Sequence, residues 1–289
     1  MGLRLKFNLV LLVIFVLGLG VTGYVSYDLL HRNAREEVLR NAGVMMEAAL
    51  SMRGYTNTQI RPLIPYNDEV FHPQSVPAYS ATEIMSALRK KYTDYSYKEA
   101  TLNPTNPRDK AVEWETDIVN SFRNNNELAE LSGTRETPTG PSLYLARPFQ
   151  IKDKACLACH TNAEMAPAAM VKIYGPNNGF GWKHMEVIGA QIVSVPMALP
   201  IRNAKRAFFT FMASLTAVFV ALFIILNIMM SVLIVRPITR MSKAADEIST
   251  GNMEIPEFNE SGGDEVALLR KSFNRMRRSL EKAIELIEK

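Results

Sequence analysis

The stretch FNLVLLVIFVLGLGVTGYVSY, residues 7–27, decides the architecture of this chain together with AFFTFMASLTAVFVALFIILNIMMSVLIV, residues 207–235. Neither stretch contains Asp, Glu, Lys or Arg, and they are 21 and 29 residues long. A helix of about 20 apolar residues spans the hydrocarbon core of a membrane. The sequence therefore predicts two transmembrane helices, which separate an N-terminal segment, 1–6, from a loop, 28–206, and a tail, 236–289.

Basic residues beside the two spans predict their orientation. Arg4 and Lys6 precede the first span, and Arg236 and Arg240 follow the second. By the positive-inside rule both termini are cytoplasmic and the loop is extracytoplasmic. The first run is long for a signal peptide and no A-x-A site follows it, so we expect an uncleaved anchor.

The loop has the pattern of a mixed α and β domain. A helix is predicted from Asp28 to about Gln59, where proline is absent and apolar residues recur at helical spacing. The next predictions are two short helices, 82–92 and 112–124, and two strands, 142–151 and 187–195, with turn-rich segments between them. The predicted fold class is α+β with an antiparallel sheet.

The charge of the chain excludes one class of function. The net charge is +4, from 33 basic and 29 acidic residues, and no segment is basic throughout. A protein that binds nucleic acid concentrates basic residues on one surface. We therefore expect membrane lipid, and not nucleic acid, among the partners.

The chemistry of the chain is concentrated at CLACH, residues 156–160. The spacing C-x-x-C-H is typical of covalent attachment of a c-type haem, in which both thiols bond to the haem and the histidine binds the iron. The pattern predicts Cys156 and Cys159 as the attachment residues of one haem c and His160 as the proximal ligand. A structural zinc site would need further ligands, and a thioredoxin-like redox pair would not explain the adjacent histidine.

The other haem contacts are less constrained by the sequence. Methionine or histidine is the expected sixth ligand, since both cysteines are used. The candidates are His31, His72, His184, Met45, Met46, Met52, Met85, Met165, Met170, Met185 and Met197. Met46, on the predicted entry helix, is preferred, and His184 is the second choice. The candidates for pairing with the haem propionates are Arg53, Arg61 and Arg147.

The tail contains two short heptad repeats. The first has apolar residues at Ile238, Met241, Ala245 and Ile248, and the second at Val266, Leu269, Phe273, Met276, Leu280, Ala283 and Ile287. An acidic, glycine-rich linker, 251–263, separates them. Two short heptad helices cannot bury their apolar seams alone, so we expect a homodimer that forms a four-helix bundle.

The tail also resembles a known module. The residues that carry the resemblance are Pro237, the stretch ADEI at 245–248, Gly251–Asn252 and the stretch GDE at 263–265. Together they resemble a HAMP linker over 236–289, which implies a parallel helical hairpin that passes conformational signals across the membrane as a dimer.

The loop resembles a family of bacterial extracytoplasmic c-type haem sensor domains. The matching stretches are RGYT at 53–56, KEATLNPTNPR at 98–108, 142–148, the C-x-x-C-H motif and NGFGW at 178–182, so the resemblance extends over most of 46–196. It implies a PAS-like fold.

These features predict a transmembrane sensor of the bacterial inner membrane that is not an enzyme. A periplasmic c-type haem detects redox state or a small gas, and the HAMP dimer relays the change. Because 54 residues are too few for a kinase or cyclase, the expected output is a separate cytoplasmic kinase, cyclase or other protein. A membrane-anchored monohaem cytochrome is the alternative. A peroxidase is a third possibility and would need His72 or His184 as an acid or base.

Overall fold

The computed structural model describes residues 2–64 and 69–287. Met1, Glu288 and Lys289, at the ends of the predicted terminal segments, lie outside the described residues. The helices are α1 (Leu3–Tyr55), α2 (Pro77–Arg89), α3 (Glu113–Asn124), α4 (Leu157–His160), α5 (Ala168–Tyr174), α6 (Ala198–Met229), α7 (Arg236–Ser249) and α8 (Glu265–Ile287). The strands are β1 (Ser96–Thr101), β2 (Leu131–Thr137), β3 (Gly140–Gln150) and β4 (Val187–Pro196).

The chain forms two compact units. One is Ser26–Phe208, and the other combines Met1–Val25 with Phe209–Lys289. The boundaries predicted for the spans, the loop and the tail stay predictions.

The Ser26–Phe208 unit is built around one antiparallel sheet with the order β1-β4-β3-β2. Because side chains alternate along a strand, Leu143 and Leu145 of β3 face one side of the sheet with Val193 and Val195 of β4. This side is covered by α1 and α2. On α1 the contact residues are Val38, Ala42, Met46 and Ala49, which share one helical face and are fully buried.

The opposite side of the sheet is covered by α3. Ile118, Val119 and Phe122 of this helix are buried against Ala146 of β3 and Ile192 of β4. The sheet therefore has helices on both faces. Together with the two apolar helices and the helical tail, it confirms the predicted α+β class with an antiparallel sheet.

The second unit contains most of both apolar runs, residues 7–25 and 209–235. Among residues 2–64 and 69–287, two helices are long and apolar enough to cross a membrane, and 0% and 6% of their most apolar windows are buried. Phe15 stacks on Phe219 with ring centroids 4.8 Å apart, and Arg4 donates to Ser231 Oγ at 2.8 Å. The chain is a membrane protein with two candidate spanning helices.

In the tail, α7 and α8 flank an extended linker, as predicted. Asn274 of α8 is 1% exposed, and its amide exchanges hydrogen bonds with the backbone of Phe258 in the linker, at 3.1 and 2.8 Å. Ala244 is buried beside Met241 and Ile248, whereas the heptad predicted Ala245 at this position.

Candidate functional site

A cavity of about 440 Å³ lies in the Ser26–Phe208 unit beside the C-x-x-C-H motif. Its lining comes from the C-terminal end of α1, the segment 71–79, the ends of β1 and β3, and the motif itself. Cys156, Cys159 and His160 all line it. A volume of this size is within the range of small-molecule and cofactor sites.

The motif forms a short helical turn. Lys154–Cys156 is a 3₁₀ turn that continues into α4, and the Asp153 carboxylate accepts the backbone N–H of Ala155 at its start, at 2.8 Å. This turn brings the two cysteines, three residues apart, to the same cavity, where Cys156 is half-buried and Cys159 is buried. Burial, reinforced by the Asp153 carboxylate, raises the pKa of the Cys156 thiol. The thiol is therefore protonated at neutral pH, in contrast to the low-pKa thiolates of C-x-x-C redox enzymes.

His160 is held with one ring nitrogen available. Its Nδ1 lies 2.7 Å from the carbonyl oxygen of Gly179, which can only accept a hydrogen bond, so Nδ1 carries the proton. Burial lowers the pKa of His160 and favours the neutral ring, although the bond to Gly179 opposes this shift. A neutral imidazole with Nδ1–H bonded to a carbonyl presents the Nε2 lone pair to a metal.

The loop 178–182 holds His160 in place through backbone and side-chain contacts. The backbone N–H of Trp182 donates to the carbonyl of His160 at 3.3 Å, and the Trp182 ring stacks on the imidazole with centroids 3.9 Å apart. Gly179 has φ +83°, and a Cβ there would lie 2.7 Å from Cα of Thr105, so the position requires glycine. The Asn103 side chain accepts from the N–H of Gly179 at 3.2 Å. Parts of the stretches 98–108 and 178–182 therefore meet at the histidine.

Arg53 lies in the cavity lining and is tied to a buried carboxylate. It pairs with Glu99, whose side chain is 2% exposed, and its guanidinium lies over the Phe149 ring, 4.6 Å from the centroid. Tyr97 donates to the other oxygen of Glu99 at 2.8 Å. Burial opposes the charge of Arg53, but the Glu99 carboxylate outweighs it and raises the pKa of the guanidinium. Arg53 is therefore a fixed cation in the lining.

The other two arginine candidates differ in position. Arg61 lines the cavity and donates to Asn57 Oδ1 at 3.2 Å. Arg147 is outside the lining, since its guanidinium binds Glu47 at 2.6 Å and Glu130 at 2.9 Å. The structure brings Arg53 and Arg61, but not Arg147, to the cavity.

The two preferred sixth ligands are also outside the cavity. Met46 is fully buried in the core between α1 and the sheet, and does not line the cavity. His184 is exposed, and its ring nitrogen Nε2 lies 3.2 Å from the carbonyl of Lys152. The methionine in the lining is Met170 of α5, which packs with Cys159. The structure places Met170, and not Met46 or His184, next to the motif, and the identity of the sixth ligand stays a prediction.

Neither of the remaining histidines is among the lining residues, although the chain neighbours of His72, Phe71 and Pro73, are. His31 Nδ1 lies 3.0 Å from the carbonyl of Tyr27, and His72 is exposed. Across residues 2–64 and 69–287, no group of three or more His, Cys, Asp or Glu side chains is placed to hold a metal ion. The zinc alternative therefore has no supporting cluster in the described part of the chain.

Sequence reasoning missed several residues that shape this site. Glu99, Thr105 and Trp182 belong to the stretches that carry the family resemblance, but the sequence assigned no role to any of them. The sequence carried no clear signal for Glu99, because it follows the charged Lys98 in a segment without an apolar strand pattern. The glycines around Phe180 were the signal for a tight loop.

Two family models match separate parts of this chain. Residues 31–196 match the family described as Tll0287-like, and residues 229–282 match the HAMP domain. A solved structure, described as the crystal structure of the cyanobacterial haem protein Tll0287, matches with 17% sequence identity and a TM-score of 0.45. The match covers 55% of this chain and 95% of that chain. The comparison with curated proteins gave no match.

Proposed function

This chain belongs to the Tll0287-like family, and from this premise we propose that it is a transmembrane sensor with one covalently attached c-type haem in its extracytoplasmic domain. The observation that carries the proposal is the C-x-x-C-H motif in the lining of a 440 Å³ cavity, with His160 oriented to offer Nε2. The match to the HAMP domain supports the signalling role.

The residues of the cavity fit a haem in their chemistry. Cys156 and Cys159 would hold it through thioether bonds, and His160 would bind the iron. Arg53 and Arg61 supply positive charge for the propionates. When bound, the haem supplies a one-electron couple and a position for a diatomic gas.

The sixth iron position distinguishes two modes of sensing. Met170 is the candidate supported by its place in the lining, and ligation of the iron by a methionine would favour redox sensing. If Met170 does not bind, the position is open to a gas. Because neither His72 nor His184 lines the cavity, the peroxidase alternative has no acid or base from these two residues.

The proposed topology places the haem domain in the periplasm and both termini in the cytoplasm of an inner-membrane protein. The basic residues at 4, 6, 236 and 240 support it through the positive-inside rule. Covalent haem attachment of this type takes place on exported chains, which favours the same side.

The signal leaves the sensor domain along the chain itself. β4 lies between β1 and β3, whose ends line the cavity. It ends at Pro196 and α6 begins at Ala198, so this strand continues almost directly into the second apolar helix. A change at the haem that favours one of two conformations biases this helix and the HAMP helices after it. The receiver is an output domain, by this proposal on a separate kinase, cyclase or other cytoplasmic protein.

The tail works as a homodimer. In one copy of the chain, Leu269, Met276 and Leu280 of α8 are 47%, 55% and 42% exposed. These are heptad positions, and the same residues of a second copy would cover them in a parallel bundle. In such a bundle the apolar heptad residues of each helix are buried against the other helices.

Covalent haem is tested first. The full chain is produced with a c-type haem maturation system, denatured, separated on a gel and stained for haem. We expect staining of the wild type, and none for Cys156→Ser with Cys159→Ser. His160→Ala keeps the stain but changes the spectrum, because the thioether bonds remain while the axial ligand is lost. A wild-type chain without stain would overturn the proposal.

Signalling is tested by cross-linking in the membrane. Leu280→Cys is placed on the heptad seam, and Lys282→Cys, also exposed, is the matched control on the outer side of α8. We expect disulfide dimers at Leu280→Cys whose yield differs between ferric, ferrous and gas-treated haem, and a low yield at Lys282→Cys in every state. Equal yields in all haem states would favour the electron-transfer cytochrome.

A further inference from the structure

Trp182 is attached to the motif by two contacts. Its ring is nearly parallel to the imidazole of His160, at an interplanar angle of 13°, and its backbone N–H binds the His160 carbonyl. The loop that carries it is also held by Gly181, whose N–H donates to the carbonyl of Thr161 at 3.0 Å. The indole is therefore a fixed part of the His160 surroundings.

The indole nitrogen of Trp182 lacks a hydrogen-bond acceptor among the described residues. Nε1 is buried, and none of the described residues accepts its hydrogen. A buried donor without an acceptor costs about 1–3 kcal/mol, and nearly all such groups in folded proteins are paired. Since Trp182 lines the cavity, the missing acceptor is expected on a molecule that the cavity holds.

The chemistry of a haem limits what this acceptor is. The four pyrrole nitrogens bind the iron and the thioether sulfurs accept weakly, so the strong acceptors are the two propionate carboxylates. The charge of the lining also favours a carboxylate, since four basic side chains stand against three acidic ones. The basic residues are Arg53, Arg61, Arg108 and Lys152, and the acidic residues are Glu99, Asp109 and Asp153.

We propose that Trp182 is a positioning residue for the haem: its indole N–H donates a hydrogen bond to a propionate, while its ring fixes the plane of the His160 imidazole. This inference rests on the proposed haem function. The hydrogen bond withdraws charge from the propionate and stabilises the ferrous state, and the stacked ring restricts rotation of the proximal ligand.

The test compares two variants of the full chain in detergent. Trp182→Phe keeps an aromatic ring on His160 but removes the N–H. Trp114→Phe is the matched control, since the other tryptophan of the chain lies in α3, outside the lining. The readouts are the propionate bending band in the resonance Raman spectrum and the reduction potential of the haem.

We expect Trp182→Phe to shift the propionate band to lower frequency and lower the reduction potential, with haem still covalently bound. Trp114→Phe should match the wild type in both. A haem-loaded Trp182→Phe chain with an unchanged band and potential would overturn this inference alone and indicate that water accepts the N–H. A wild type without haem would overturn the proposed function and this inference together.

A measurement that needs no change at Trp182 covers the case in which Trp182→Phe does not fold. In the Trp114→Phe chain the single remaining indole is followed by hydrogen–deuterium exchange, with haem and in the Cys156→Ser, Cys159→Ser background. Slower exchange with haem supports the bond to the propionate. Equal exchange rates with and without haem would overturn it.

Discussion

Replacing Glu99 by glutamine should lower the unfolding free energy of the Ser26–Phe208 unit by about 3–5 kcal/mol, because Arg53 would stay buried without its counter-ion. Glutamine has nearly the shape of glutamate, and its carbonyl oxygen still accepts from Tyr97. The substitution therefore removes the negative charge and places an amide NH2 group, which cannot accept a hydrogen bond, opposite Arg53.

The magnitude follows from burial. The Glu99 side chain is 2% exposed and that of Arg53 is 19% exposed, so solvent screens the pair weakly. A unit of this size loses about 2–4 °C of melting temperature for each kcal/mol, which predicts a decrease of roughly 6–20 °C. Glu47→Gln is the control. It removes another carboxylate bound to an arginine, Arg147 at 2.6 Å, but Glu47 is 64% exposed, and the expected loss is about 0–1 kcal/mol.

Thermal unfolding of the full chain in detergent measures this difference. Trp114 and Trp182 both belong to the Ser26–Phe208 unit, so their fluorescence reports on it and not on the apolar helices. The Cys156→Ser, Cys159→Ser background removes quenching by covalent haem and differences in haem loading. All variants are compared in this background.

The double variant Arg53→Gln, Glu99→Gln provides the decisive comparison. It leaves no uncompensated charge, so it should lose less stability than Glu99→Gln alone. A Glu99→Gln chain with the same melting temperature as the Glu47→Gln control would refute the reasoning. So would a double variant that loses the sum of both single changes.

Three further predictions concern other parts of the chain. Burial raises the pKa of Asp109 from 3.8 to about 6, so the native state holds a proton that the unfolded state releases, and the free energy of unfolding falls as pH rises from about 4 to 6. Asp109→Asn should abolish this loss, which is on the order of 1–2 kcal/mol in denaturant titrations across the same window. An unchanged pH dependence of the unfolding free energy in the variant would contradict the prediction. Gly179→Ala should lower stability by roughly 2 kcal/mol or more and reduce haem loading, because the new Cβ would meet Thr105. Gly181→Ala, at φ +80° but with open space around the new Cβ, should lower stability by only about 1 kcal/mol. Equal melting temperatures of the two variants would argue against the clash. Asn274→Ala removes hydrogen bonds that fix the linker 251–263. At about 1 kcal/mol for each bond, their loss should increase the rate of limited proteolysis of the linker roughly tenfold or more. An unchanged rate would be the contrary result.

The local patterns of the sequence predicted the parts of the fold that depend on neighbours along the chain. The predicted strands 142–151 and 187–195 are close to the observed β3 and β4, and the predicted helix 112–124 nearly coincides with α3. Strands β1 and β2 were not predicted. β1 reads SYKEAT, and its charged Glu99 becomes compatible with a buried strand only through Arg53, 46 positions earlier.

The choice of sixth ligand shows where local patterns stop being informative. Met46 and Arg53 lie on the same helix, seven positions apart, yet Met46 packs on the sheet and Arg53 lines the cavity. Helical periodicity gives the side of the helix on which each residue lies, but not which tertiary neighbour that side meets at each turn. For the same reason, Met170 could not be separated from the other methionines by sequence.

The sequence by itself determined the two apolar helices, the HAMP resemblance and the C-x-x-C-H motif, because each depends on spacing within one short segment. The tertiary structure alone decided that Gly179 accepts from His160, that Trp182 stacks on it, and that Arg53 meets Glu99 beside the same cavity. These contacts join residues 19 to 46 positions apart, and their formation depends on the packing of the whole sheet and its helices.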